Sequence, residues 1–199
     1  MLNFALAASA VAAPVTIGLA GFSGSETVVT FNSIGDEELV DTQFAGLGVT
    51  FSGPVFGMTN SGDTGLYPSD GGGVIASNWR YSGPNLTPGA LVVSFASTMQ
   101  RVGFYHSGNQ EDDFTVTFFL GNVETGSLLV AQTDSPAEFF GAQDTGGFDR
   151  IEITAPVNRN GFFAFDDLRF EGDAVPEPST YALMAMGLCG LAWMRRTRR

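Results

Sequence analysis

The sequence contains no lysine, only one histidine and only one cysteine. The cysteine, Cys189, lies near the C-terminus, so the rest of the chain cannot form a disulfide and must be stabilised by a packed core. The histidine, His106, has no G-x-S-x-G motif and no neighbouring cysteine to activate, and it shares a strand face with Val102 and Phe104. We therefore expect His106 to close one end of the core and the protein to be non-enzymatic.

Basic residues are scarce outside the last five positions. Nine arginines stand against 21 acidic residues, and four of the nine are Arg195, Arg196, Arg198 and Arg199. Without these four arginines and Glu177 of the tail, five arginines stand against 20 acidic residues, and the body of the chain carries a net charge of about −15. Such a charge repels the phosphates of nucleic acids and anionic lipids, and it is compatible with divalent cations or neutral polymers.

Helical periodicity is absent from residues 23–174. Glycine-containing turn pairs interrupt this region too often for long helices, and the whole chain has 26 glycines. Between the turns, apolar and polar residues alternate as they do in strands. The pattern predicts one all-β domain, a jelly-roll-like two-sheet antiparallel β-sandwich. The predicted strands are 27–31, 49–51, 91–95, 102–106, 114–120, 127–132, 138–141, 150–154 and 162–170.

Residues 1–22 have the composition of a secretory signal peptide, although no Lys or Arg precedes the apolar run. Small-residue cleavage patterns occur at Ala8-Ser9-Ala10 and at Val11-Ala12-Ala13, where Pro14 would follow the cut. A later cut near Ala20 is a third option. The alternative is that this segment forms a first strand or helix of the domain.

Residues 175–199 form a tail with three parts. Pro176 and Pro178 predict a stiff extended spacer, and the run from Tyr181 to Met194 has no charge and predicts one transmembrane helix. The four arginines follow, and basic residues remain on the cytoplasmic side. The body before Pro176 is therefore expected on the far side of the membrane.

This tail resembles the PEP-CTERM sorting signal of Gram-negative bacteria, with Pro176, Glu177 and Pro178 as its defining tripeptide. The resemblance implies a precursor held in the inner membrane, cleavage by an exosortase near the tripeptide, and delivery of the body to the cell surface or the extracellular matrix. It also implies an association with exopolysaccharide. A simple C-terminal membrane anchor is the alternative.

The body resembles the β-sandwich modules that precede such tails, which look like carbohydrate-binding jelly rolls. Three stretches carry this resemblance: Val28–Phe31 with Phe44–Phe51, Leu91–Phe95 with Val102–Phe104, and Phe165–Phe170. This resemblance supports the predicted fold more than it supports any particular ligand.

An acidic pair, Asp166 and Asp167, stands on the last predicted strand. If Asp166 faces inward with Leu168, its carboxylate must be paired, hydrogen-bonded or bound to a metal, whereas the opposite face would bury Asp167. Calcium accepts such oxygen ligands, and jelly rolls often place the first and last strands side by side. The predicted calcium site therefore draws further oxygens from Glu26, Asn32, Asp36 and Glu37. A carboxylate that accepts backbone amides at a turn is the alternative.

Aromatic residues flank a glycine-rich loop at residues 60–73. Tyr67 lies in this loop, and Trp79 and Tyr81 follow it, two residues apart on one predicted strand face. Aromatic rings stack on sugar rings much as they pack in cores, so these residues are a candidate glycan-binding platform. We expect a surface protein that binds or organises extracellular polysaccharide; a purely structural surface component and a polysaccharide hydrolase are the alternatives.

Overall fold

The computed structural model describes residues 13–53, 55–59, 74–77, 90–106, 113–131, 137–154, 164–172 and 186. In these ranges the chain forms ten strands and two short 3₁₀ turns. The strands are β1 (Val15–Thr16), β2 (Thr27–Val29), β3 (Val49–Ser52), β4 (Phe56–Thr59), β5 (Val74–Ser77), β6 (Leu91–His106), β7 (Phe114–Leu120), β8 (Val123–Val130), β9 (Glu138–Thr154) and β10 (Ala164–Glu171). The 3₁₀ turns are Leu19–Gly21 and Ala45–Leu47.

All strand pairs are antiparallel, which confirms the predicted all-β antiparallel class. One continuous sheet runs in the order β4-β5-β10-β6-β9-β7-β8. Three shorter strands attach to it, β1 to β9, β2 to β10 and β3 to β6. The first strand of the predicted domain, β2, thus lies beside the last, β10, as expected.

Two strands are much longer than the sequence predicts. β6 has 16 residues and β9 has 17, and each joins two segments that the sequence pattern separates. The register between them shifts from Ser94 to Met99 and again before Arg101. At these irregularities both strands pass from one half of the sheet to the other. The first half contains β3, β7 and β8, and the second half contains β4, β5, β10, β2 and β1.

The two halves face each other across one core. Phe104 of the second half stacks on Phe114 of β7, with ring centroids 6.1 Å apart. Phe95, in the first half, lies 5.1 Å from Phe170 of β10. Because rings from both halves meet in this way, the sheet is folded over on itself. Burial of these large apolar side chains is the main source of stability in a domain without disulfides.

The folded sheet has a closed corner where β6 and β9 bend, at residues 96–98 and 144–147. Gly147 adopts a φ of 81°, and a Cβ atom there would lie 2.5 Å from Cγ2 of Thr98, so only glycine fits between the two bends. The opposite end of the sheet, here called the open end, carries His106, Glu138 and Thr154. His106 pairs with Glu138 there.

Residues 13–22 pack against the second half of the sheet, where β1 pairs with β9. β1 pairs with Gln143 and Ala142, the Ile17 amide donates to the Gly141 carbonyl over 2.8 Å, and Phe22 contacts Phe139 edge to face. Cleavage near Ala20 would remove β1 and Ile17 from this packing and leave Phe22 in place. Residues 1–12 lie outside the described residues, and the predicted signal peptide at residues 1–22 stays a prediction.

Gly141 makes this packing possible. A Cβ atom at Gly141 would lie 2.7 Å from the Ile17 carbonyl oxygen and 2.8 Å from Cε1 of Phe139. We expect Gly141→Ala to lower the free energy of unfolding by about 1–3 kcal/mol, because the N-terminal segment must move away. Chemical denaturation measures the change, with Gly46→Ala as the control, since a Cβ atom there meets nothing within 4 Å. Equal stability of the two variants would contradict the packing of residues 13–22.

No helix long and apolar enough to cross a membrane is found among the described residues. The predicted transmembrane helix, Tyr181 to Met194, lies outside them except for Met186.

Candidate functional site

An arginine lies between two of the acidic residues that the sequence assigns to calcium. β2 and β10 run side by side, and Arg169 of β10 points one guanidinium nitrogen at Glu26 (3.4 Å) and another at Asp167 (3.5 Å). The guanidinium also lies 5.9 Å from the ring centre of Tyr105. Adjacent first and last strands thus do bring Glu26 and Asp167 together, around a side-chain cation.

Asp166 is buried, as one of the two predicted face assignments requires. It is 1% exposed, whereas Asp167 is half-buried. Both Phe165 and Asp166 are buried because β10 bulges at Asp167, where φ is 50° and the register with β6 shifts. The Asp167 amide donates to Asp166 Oδ1 over 2.7 Å. This contact is of the backbone-capping kind that the sequence offers as the alternative to a metal.

The other predicted calcium ligands lie between β2 and β3. Asp36 accepts from the amide and the hydroxyl of Thr59 at 2.9 and 3.0 Å. The Glu37 amide donates to the Gly57 carbonyl, and both Glu37 and Asn32 lie in the loop between β2 and β3. Within the described ranges, no group of three or more His, Cys, Asp or Glu side chains is arranged to hold a metal ion.

A groove of about 350 Å³ opens at the closed corner. Hydroxyl groups and small residues make up most of its lining, together with the buried side chains of Met99 and Phe170. The hydroxyls of Ser23 and Ser25, which belong to this lining, share a 2.7 Å hydrogen bond. The full lining is Ser23, Ser25, Thr27, Leu47, Gly48, Ser97, Met99, Phe170, Glu171 and Gly172.

Among the described residues that line the groove, Glu171 supplies the one charged side chain. Its carboxylate accepts from the Ser23 amide at 2.9 Å and pairs with Arg101, a residue that the sequence did not single out. Burial raises the pKa of the Glu171 carboxyl, but the hydrogen bonds from Ser23 and the attraction of Arg101 outweigh this and lower the pKa below its ordinary value.

This lowered pKa predicts a pH-dependent contribution to stability. A carboxylate with a depressed pKa stabilises the fold at pH values above its unfolded pKa, and this contribution disappears as the pH falls through the folded pKa. We expect Glu171→Gln to cost up to about 1 kcal/mol at neutral pH and to match the wild type in strong acid.

Melting curves of the wild type and the variant from neutral to acid pH measure this difference. Glu124→Gln, at an exposed position of β8, serves as the control and should change stability little at any pH. A Glu171→Gln deficit that persists unchanged into strong acid would contradict the ionic origin of the contribution.

His106 takes the structural position that the sequence predicts. It is 3% exposed, lies at the end of β6, and contacts the Phe114 ring edge to face at 5.5 Å. An imidazole buried against aromatic rings closes the core at the open end.

Several predicted site residues lie outside the described residues. These are Tyr67, Trp79 and Tyr81 of the glycan platform, Pro176, Glu177 and Pro178 of the sorting motif, and the arginines Arg195, Arg196, Arg198 and Arg199. The described structure adds residues that the sequence analysis missed, namely Arg169 and the Arg101–Glu171 pair. Arg169 follows Asp167 by two positions, and this spacing could have predicted the ion pair between them.

Comparison with known proteins identifies the tail. The PEP-CTERM protein-sorting motif matches residues 174–199. No curated protein matches the chain. Among solved structures, the chain is similar to the K2 cleaved adhesin domain of Lys-gingipain (Kgp), with 14% sequence identity and a TM-score of 0.46; the similarity covers 73% of this chain and 99% of that one. The predicted sorting signal is confirmed, and it implies export, a membrane-anchored precursor and processing by exosortase on the way to the cell surface.

Proposed function

We propose that the PEP-CTERM sorting motif delivers a non-catalytic jelly-roll-like β-sandwich to the cell surface, where the released body binds or organises neutral extracellular polysaccharide. The motif at residues 174–199 is the observation that carries the proposal, because it implies export and processing on the way to the cell surface. The adjacent β2 and β10 strands and the folded-over sheet support the jelly-roll arrangement. A Gram-negative source and a single transmembrane helix in the tail belong to the same proposal.

The choice of ligand rests on charge and on surface chemistry. A body with a net charge of about −15 repels anionic polymers and leaves neutral polysaccharide as the favoured polymer. The groove at the closed corner presents hydroxyls from Ser23, Ser25 and Ser97 beside the Glu171 carboxylate, and these groups hydrogen-bond well to polyhydroxylated ligands. The buried position of His106 supports a non-catalytic role.

Affinity electrophoresis of the processed body on a panel of neutral polysaccharides tests the proposal. We expect retention by at least one polysaccharide, and we expect Trp79→Ala to weaken it without lowering the melting temperature, because a stacking platform lies on the surface. Phe119→Ala, a truncation of a half-buried aromatic of β7, controls for general loss of an aromatic ring.

Three outcomes separate the candidate functions. Loss of stability in Trp79→Ala, with no retention of the wild type on any polysaccharide, would contradict binding and leave a purely structural surface component. Shortening of a polysaccharide during incubation would point instead to a hydrolase with paired carboxylates. Retention that depends on Trp79 supports the proposal.

Calcium binding by the acidic cluster stays a prediction. Oε2 of Glu26 is buried and has no hydrogen-bond partner within the described ranges, so one oxygen is left to accept a cation, although Arg169 already neutralises part of the charge. A ligand that binds only the folded state raises the melting temperature by mass action. If calcium is bound, adding calcium to metal-free protein raises the melting temperature, and adding a chelator lowers it again. An unchanged curve would leave Arg169 as the cation of this cluster.

A further inference from the structure

We infer that the body pairs with a second copy of this chain, edge to edge, through the C-terminal half of β8. The segment concerned is 127–130, here called the free edge. The inference assigns an interaction surface and one partner. It goes beyond the proposed function and does not depend on polysaccharide binding.

The other edge strands of the sheet are short or are covered by a loop of the same chain. β1 and β2 have only two and three residues. Along β3 the Phe51 amide donates to the Asp41 carbonyl over 2.7 Å, and along β4 the Gly57 amide donates to the Glu38 carbonyl over 2.8 Å. Short strands and covering segments are common ways of keeping an edge from pairing with another chain.

β8 has neither kind of protection. It has eight residues, stands at the end of the sheet order and pairs, among the described strands, with β7 alone. Within the described ranges, no loop amide or carbonyl is bonded to its backbone. The strand also contains no proline and no basic residue. Its outer backbone N–H and C=O groups can therefore pair with another strand.

The two halves of β8 differ in how they are guarded. In the first half, the register with β7 shifts so that the strand bulges at Thr125. Glu124 is the one charged residue of the strand, and Pro14 packs against Gly126. Bulges and charges both turn a strand edge away from a partner. The free edge has a regular register with β7 and no charge, so pairing is expected there.

The free edge is also apolar. Leu129 is 67% exposed, more than any other large apolar side chain in the described ranges. Leu128 points to the other face, where it is half-buried and packs against the core. Pairing with another strand would remove apolar surface of both residues from water.

This segment is complementary to itself. Directly opposite residues of an antiparallel pair lie on the same face of the sheet. A two-fold pair centred on Leu128 therefore places the two Leu128 side chains together on the inner face and Ser127 opposite Leu129 on the outer face. Because a copy offers no other long free edge among its described strands, the contact uses the same segment on both copies and closes as a dimer.

Charge selects the same place for contact between copies. Two bodies that each carry about −15 repel one another, and the free edge is uncharged. In the pair centred on Leu128, the two Glu124 side chains lie roughly 20 Å apart at about 3.3 Å per residue, which exceeds the Debye length of about 8 Å at physiological salt. Glu124 of one copy lies toward the end where Asp113 of the other stands, so some repulsion remains for salt to screen.

The sorting motif favours a copy of this chain over an unrelated partner. The motif implies that all copies travel to the same cell surface, which raises their local concentration. A contact of four residues on each side is small. Interfaces that bury less than about 1,200 Å² are typically weak, so the dimer should form in a concentration-dependent way.

Position-specific cross-linking of the full chain tests this pairing. In a Cys189→Ser background, a single cysteine is introduced as Ser127→Cys at the free edge or as Ser52→Cys, an exposed position on the covered edge strand β3. Both proteins are purified in detergent and treated with a short bis-maleimide. We expect several-fold more cross-linked dimer at position 127 than at position 52. Contacts between tails would affect both positions equally.

A charge at the free edge should abolish the effect. Leu129→Glu, added to Ser127→Cys, should lower cross-linking to the level of the Ser52→Cys protein, because it places acidic groups where two acidic bodies meet. Leu39→Glu is the matched control, since Leu39 is 46% exposed and lies away from β8, and it should leave cross-linking unchanged. Melting curves show whether both glutamate variants are folded, and the comparison of positions 127 and 52 needs neither variant.

Raising the salt concentration should increase cross-linking at position 127, because screening weakens the repulsion between the bodies. Equal cross-linking at positions 127 and 52, or a decrease with salt, would overturn the inference. Cross-linking that appears only when the two cysteine variants are mixed would show a head-to-tail contact and would overturn the two-fold pairing.

Discussion

Replacing Phe104 by alanine is expected to lower the free energy of unfolding by about 3–5 kcal/mol, because it removes a fully buried ring that joins both halves of the sheet. Phe104 is 0% exposed. Its ring lies 5.1 Å from Phe140 and 5.4 Å from Phe165 in its own half, and 6.1 Å from Phe114 in the facing half. The chain has no disulfide to compensate for the cavity.

Urea denaturation of the body measures this loss, and Phe119→Ala is the matched control. Phe119 is half-buried on β7 and packs against the Arg150 guanidinium, 4.0 Å from its ring centre, so its removal should cost about 1 kcal/mol. A Phe104→Ala variant as stable as Phe119→Ala would show that the two halves do not share one core.

Replacing Pro176 and Pro178 by alanine is expected to abolish release of the body from the membrane. These prolines flank Glu177 in the tripeptide of the sorting motif matched at residues 174–199, and their fixed φ angles keep the cleavage region extended. Alanines would allow the tail helix to extend toward the body. Cell fractionation should show the variant only in the membrane fraction.

The matched control is Pro156→Ala, a proline outside the sorting motif, which should be released as the wild type is. Release of the double variant at the wild-type rate would show that the tripeptide is not what the processing enzyme reads.

The alternation of apolar and polar residues predicted burial well in strands whose two faces keep the same surroundings along their length. In β7, Phe114, Val116 and Phe118 are buried while Thr115 and Thr117 are half-buried, as the sequence pattern predicts. In β10 the pattern fails between Ala164 and Leu168, because the bulge at Asp167 changes which face each side chain meets. A bulge leaves the composition of the strand unchanged, so the sequence could not place it.

The continuity of β6 and β9 was not predictable for a similar reason. Ala96-Ser97-Thr98 and Thr145-Gly146-Gly147 have the composition of turns, and a sequence pattern cannot distinguish a turn between two strands from a bend within one. Only the pairing of β6 with β9 on both sides of the bends shows that each is a single strand.

The candidate calcium site shows which part of site prediction succeeds. Pairing of the first and last strands was predictable from the fold class and brought Glu26 to Asp167. Their shared partner, Arg169, was not predictable, because the direction of its side chain depends on the bulge two residues before it. The sequence left open whether the N-terminal segment is a leader or a strand, because both have the same apolar composition; the pairing of β1 with β9 and the contact of Gly141 with Ile17 are visible only in the structure.

The intact mass of protein extracted from the cell surface tests the central claim most directly. If the body is released at the sorting motif, the mature protein lacks Cys189 and the four terminal arginines, and its C-terminus lies near Pro176 to Pro178. Recovery of surface protein that retains the complete tail through Arg199 would contradict the account.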